Sequence, residues 1–77
     1  MIDFGLNDMR PTYCKLRRDT EDFQCTMTHY PQEGYWEWNV KGKTREYWHV
    51  NAYSTPIYGS AEKAFENMKE YINGLQS

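Results

Sequence analysis

The chain has 77 residues, 39% of them hydrophobic and 17% aromatic, with a formal net charge of −2 and a sequence pI of about 5.6. This length allows one domain, and residues 1–77 read as a single small α+β domain. The acidic balance excludes a dedicated duplex-DNA binder, whose surface must neutralise phosphates; eleven acids against nine bases are also too balanced for an acidic DNA mimic.

Leu, Ile, Val and Phe make up only 11 of the 77 residues. Thirteen aromatic side chains supply the missing bulk, each burying roughly 150–250 Å², so an aromatic core is expected. No segment approaches the ~20 apolar residues that span a bilayer. The N-terminal stretch "MIDFGLNDMRP" lacks the basic and apolar regions of a signal peptide. A cytoplasmic location is expected, with Cys14 and Cys25 reduced.

In chain order, residues 1–11 read as an irregular arm anchored by Phe4 and Leu6 and ended by Pro11. "TYCKLRR" (12–18) and "DFQCTMTHY" (22–30) both alternate apolar and polar residues, which predicts a hairpin. A turn centred between Asp19 and Thr20 sets Leu16 opposite Phe23, Cys14 opposite Cys25 and Arg17 opposite Asp22. "PQEG" (31–34) is a loop. "YWEWNV" (35–40) places Trp36, Trp38 and Val40 on one face and Tyr35, Glu37 and Asn39 on the other. "KGK" (41–43) is a turn, and "TREYWHVNAYS" (44–54) is read as the next strand, with Trp48 and Val50 inward. "STPIYG" breaks that strand. Ser60 is the expected N-cap of a helix with apolar residues at 61, 64, 65, 68, 72 and 75, stopped at Gly74. The order is ββββα: a four-stranded antiparallel sheet with one C-terminal helix packed on one face.

The opposite sheet face has no second helix to cover it. By parity it carries Tyr35, Tyr47, Tyr53, His49, Arg45, Lys15 and Glu37. Tyrosine-rich surfaces with arginine are enriched at protein interfaces, so these residues are the expected partner-binding set, with Glu66 from the acidic helix row Glu62, Glu66, Glu70 as a further contact. A larger protein partner is expected, and a homodimer is compatible with the same face. Neither a membrane nor a small-molecule substrate is expected.

No catalytic or cofactor motif is present. Cys14, Cys25, His29 and His49 are zinc-ligand types, but their spacing fits no known finger, and His49 points away from the thiols; no metal and no cofactor is expected. Cys25 and His29 lie four residues apart on one strand, about 13 Å, too far for a thiol–imidazole pair. "KGK" is a turn without the helix that a phosphate loop needs. The alternative reading is a single-stranded nucleic-acid binder that stacks bases on the same aromatic and basic face. "KGKTREYWHV" opens with the basic-Gly pair of the RNA-recognition motif, but has Lys43 where that motif carries an aromatic residue. In size and composition the chain is similar to small phage and mobile-element proteins that inhibit host enzymes. That resemblance implies a non-catalytic inhibitor that blocks a larger host protein complex by occupying its surface.

Overall fold

A computed structural model describes residues 2–77; Met1, counted in the expected arm, lies outside the described residues. After a 3₁₀ turn at Leu6–Asp8 come β1 (Arg10–Thr12), β2 (Lys15–Asp19), β3 (Phe23–Tyr30), β4 (Tyr35–Gly42), β5 (Asn51–Tyr53), β6 (Ile57–Tyr58) and α1 (Ala61–Gln76). Every pairing is antiparallel. The strand order is β1–β2–β3–β4–β5, and β6 pairs with β4 beyond the end of β5. With α1 against one face, the chain is the α+β domain that alternation and helical period predict, with two more short strands than the four expected.

The core lies between α1 and the centre of the sheet. In β3 the alternation holds: Phe23, Cys25 and Met27 are buried while Gln24, Thr26 and Thr28 face the other way. Across the ladder Met27 pairs with Trp38 and Cys25 with Val40, so the two long strands offer one apolar face. The helix meets it with Ala64, Phe65, Met68 and Ile72, all buried. Each fully buried large side chain contributes roughly 1.5–3 kcal/mol. The Trp38 indole also donates a hydrogen bond to Asn67 Oδ1 at 2.8 Å and packs on Tyr71 with ring centroids 5.1 Å apart. Ser60 caps the helix, its hydroxyl accepting from the Lys63 N–H. The helix does not stop at Gly74: it continues to Gln76, with Leu75 packed against the core.

The N-terminal arm is part of this core rather than a loose appendage. Ile2, Phe4 and Met9 are buried, Phe4 meets Phe65 edge-on at 5.8 Å, and the Ile2 N–H donates to Asn73 Oδ1 at 3.2 Å. Pro11 does not end the arm but sits within the outermost strand β1.

The first hairpin departs from its expected register. Leu16 pairs with Met27, not Phe23, and Arg18, not Cys14, pairs with Cys25. The cause is local. The Thr20 hydroxyl accepts from the N–H groups of Asp22 and Phe23, and the Thr20 N–H donates to the Phe23 carbonyl at 2.8 Å. This compact turn closes at Phe23 and moves the β2–β3 ladder four residues, an even shift that keeps the side chains of these two strands on their faces while changing their neighbours; Thr12, expected on the face of Leu16, instead pairs with Lys15 on the opposite face. Cys14 is displaced to the exposed tip of the β1–β2 hairpin, where it takes φ 57°, and only Cys25 is buried. The two thiols do not meet.

The expected strand 44–54 is shortened to Asn51–Tyr53. Residues 43–50 instead form a loop, closed by Gly42 N–H to Val50 O at 2.9 Å, Tyr47 N–H to Thr44 O at 3.1 Å and Val50 N–H to Tyr47 O at 2.9 Å. The loop lies so close on β4 that a Cβ at Gly42 would collide with the Tyr47 carbonyl. Trp48, expected in the core, is 74% exposed. Past β5 comes a bulge. Tyr53 pairs with Asn39 and Ile57 with Trp36, so four steps on one strand match three on the other. Ser54 bridges the gap: its N–H donates to the Trp38 carbonyl and its Oγ accepts from the Trp38 N–H, both at 2.9 Å. Pro56 stands inside this interruption.

Candidate functional site

The sheet face turned away from α1 is a grid fixed by the ladders. One cross-strand row runs Arg10, Arg17, Thr26, Asn39, Tyr53, and the next runs Thr12, Lys15, Thr28, Glu37. To one side lies the row Tyr30, Tyr35, Tyr58; to the other, Asp19, Gln24, Lys41, Asn51. Thr26 and Thr28 have the shortest side chains in the middle of this grid. They floor a shallow trough of about 390 Å³, walled by Lys15 and Arg17 on one side and by Glu37, Asn39 and Tyr53 on the other, with Gln24 and Tyr30 at its ends.

The tyrosines form two groups. Tyr30 and Tyr35 lean together with ring centroids 4.9 Å apart, and Tyr58 meets Tyr35 edge-on at 5.6 Å. Partial burial pushes the Tyr35 phenol upward, and the charge of Glu37 adds to the shift, so at neutral pH this hydroxyl remains a hydrogen-bond donor. Tyr53 stands apart, 66% exposed, four β4 residues from Tyr35 in register, or about 13 Å.

Of the residues expected on this face, Tyr35, Tyr53, Lys15 and Glu37 are there. Tyr47 is not. Its ring packs on Phe23 with centroids 4.6 Å apart at the end of the core, because the loop rather than a strand sets its direction. His49 and Arg45 belong to the same loop and are exposed there, with His49 edge-on to Trp48 at 6.0 Å. Glu66 and Glu70 lie elsewhere, on the exposed side of α1, lining an open groove with Pro56, Ile57, Tyr58, Lys63 and Asn67; Glu62 is exposed on the same helix. Two tyrosines of the face, Tyr30 and Tyr58, lay outside the expected set. Tyr30 continues the polar series Gln24, Thr26, Thr28, which was enough to place it. Tyr58 reaches the face only because the bulge reverses parity, and Pro56 is its only sequence signal.

Charge is segregated. The open face holds four cationic side chains, Arg10, Lys15, Arg17 and Lys41, and two anionic ones, Asp19 and Glu37, a balance of +2. The remaining five cations and nine anions give −4, which restores the chain's −2. Arg17 is held by Asp19 through two hydrogen bonds of 3.2 Å, which raise the guanidinium pKa further. Among the described residues Arg10, Lys15 and Lys41 make no ion pair.

Cys25 is pushed up to about 12, first by burial and then by the charge of Asp19, so its thiol is protonated at neutral pH. His29 stacks on Trp36 at 4.5 Å and 15°. Cys14, Cys25, His29 and His49 are not brought together, and among the described residues no group of three or more His, Cys, Asp or Glu has the arrangement to hold a metal ion. No helix among them is long and apolar enough to cross a membrane. No protein-family model, no curated protein and no solved structure matches the chain.

Proposed function

We propose that the chain is a non-catalytic protein-interaction domain that binds a larger protein complex through its open sheet face and blocks it by occupying that surface. The observation that carries this reading is the uncovered face itself, with Tyr30, Tyr35 and Tyr58 clustered at one end and Tyr53 exposed beyond them. Tyrosine offers large contact area with few rotors to freeze, while its hydroxyl keeps the free surface wettable. The protonated, buried Cys25 thiol is a poor nucleophile, in keeping with binding rather than chemistry.

The test is the pair Tyr35→Ala with Tyr53→Ala. Wild type and double variant are immobilised and challenged with extract of the source cells, and both are melted. The expected result is loss of the captured partner, corresponding to at least ~2 kcal/mol, the scale of an interface hot spot, with the melting temperature nearly unchanged. Equal capture by a folded double variant sinks the reading. A second reading, binding of single-stranded nucleic acid, is favoured by one observation: Arg10, Lys15, Arg17 and Lys41 share the face with the tyrosines. Oligonucleotide affinity that falls steeply between low and moderate salt would select it.

A further inference from the structure

We infer that the occupant of the trough is an extended acidic segment of the partner protein, with a carboxylate at every second position and apolar or aromatic residues between. The inference rests on the reading of the open face as a protein-binding surface and adds the chemistry of what binds there.

The two walls differ in kind. Lys15 and Arg17, with Arg10 behind Arg17 in the same row, make one wall cationic. Asn39 and Tyr53 give the other wall amide and phenol surface, with Glu37 as its one charge, and Tyr30 adds aromatic surface at one end. Between them lie two threonines, so the floor is low and bears hydroxyls rather than charge. The trough follows β3 from Gln24 to Tyr30, about 20 Å, the span of six or seven extended residues. An extended chain lying in it turns successive side chains to opposite walls. One set reaches Lys15 and Arg17, and the other reaches Tyr30 and Tyr53. Carboxylates suit the first set because Lys15 has no anionic partner among the described residues, and Arg10, also without one, stands behind Arg17, which Asp19 already holds. Apolar or aromatic groups suit the second, where a carboxylate would meet Glu37.

The charge of the whole molecule, rather than the shape of the trough, disfavours a nucleic-acid strand. The −4 carried by the rest of the molecule repels a polyanion more than a short acidic peptide.

The experiment selects a random dodecapeptide library on immobilised wild-type protein, with a twelve-nucleotide oligothymidylate as competitor. The expected result is enrichment of Asp or Glu at alternate positions with Leu, Phe or Tyr between. The selected peptides should bind wild type at least tenfold more tightly than a folded Lys15→Glu, Arg17→Glu variant, with affinity falling as salt rises. Failure to enrich, enrichment of neutral or basic peptides, or equal affinity for the variant overturns the inference. So does an oligothymidylate that displaces the peptides and binds more tightly. Basic peptides whose binding still depends on Tyr53 would overturn the charge assignment alone and leave the face as an interaction surface. Failure of that wider reading is seen separately, in the partner capture of the Tyr35, Tyr53 variant.

Discussion

In β3 and β4, eight residue pairs run in unbroken register from Phe23–Gly42 to Tyr30–Tyr35, whereas residues 43–58 contribute a loop, two short ladders and a bulge. Both regions are aromatic-rich and each contains a "YW" pair. The difference lies in what holds each backbone. β3 and β4 are paired on both sides, so period-2 alternation decides every side chain's face. The 43–50 loop is held by its own hydrogen bonds and by contact with Gly42, and its side chains point where those contacts leave room. It even buries the Thr44 hydroxyl without a partner among the described residues. The same residue type thus meets opposite fates: Trp38 is 5% exposed and Trp48 74%.

That contrast breaks first at the tryptophans. Trp38→Ala removes packing on Tyr71 and the bond to Asn67, and is expected to cost ~3–5 kcal/mol. Trp48→Ala is expected within about 0.5 kcal/mol of the parent. Urea unfolding of both decides, and equal midpoints would erase the distinction. Next comes the contact that sets the loop. Gly42→Ala places a methyl against the Tyr47 carbonyl, so the loop must move at a cost of ~1–3 kcal/mol. The Tyr47 contact with Phe23 should loosen with it, read as shifted ring resonances. An unchanged spectrum would mean that the loop is not held by this approach.

A smaller effect separates β3 from the β1–β2 tip. Burial, with the charge of Asp19 second, pushes the folded Cys25 thiol up from 9.0 to about 12. A raised acid pKa gives stability that is full below pH 9 and is lost as pH rises from 9 toward 12, by at most about 1.4 kcal/mol per pH unit. The Tyr35 and Tyr47 phenols, also raised, act in the same direction at the upper end. Urea midpoints at pH 8, 9 and 10 should fall for the parent and fall less for Cys25→Ala, while Cys14→Ala should track the parent. Parallel slopes for parent and Cys25→Ala would show that the buried thiol does not govern alkaline stability.

Much of this was legible in residue order. Alternation placed Phe23, Cys25, Met27, Trp38 and Val40 inside and Tyr35 and Glu37 outside, and the helical stripe with its Ser60 cap was read correctly. Tyr53 landed on the right face because the β4–β5 register keeps the expected parity despite a longer loop. What was not legible arises where a short-range bond competes with the ladder. The Thr20 hydroxyl closed a turn that charge and thiol pairing did not anticipate. The Gly42 approach turned "TREYWHV" from strand to loop, carrying Tyr47 inward and Trp48, His49 and Arg45 off the grid. One extra residue near Ser54 moved Tyr58 onto the candidate surface. These are decisions of one or two hydrogen bonds, each about 0.5–1.5 kcal/mol net, below what side-chain pattern resolves.

The sheet has two margins, and a proline stands at each. A bare margin presents free N–H and C=O groups on which another copy of the chain can pair, the first step toward aggregates. Thr12 and Lys15 close a two-residue hairpin, so ladder alternation turns the N–H position of the next residue outward, and that residue is Pro11, which has no N–H to offer. On the far side Pro56 divides the margin into pieces of three and two residues. A molecule with an uncovered aromatic face is thereby denied one further association, edge to edge with itself. The two prolines blunt both edges while the face stays open.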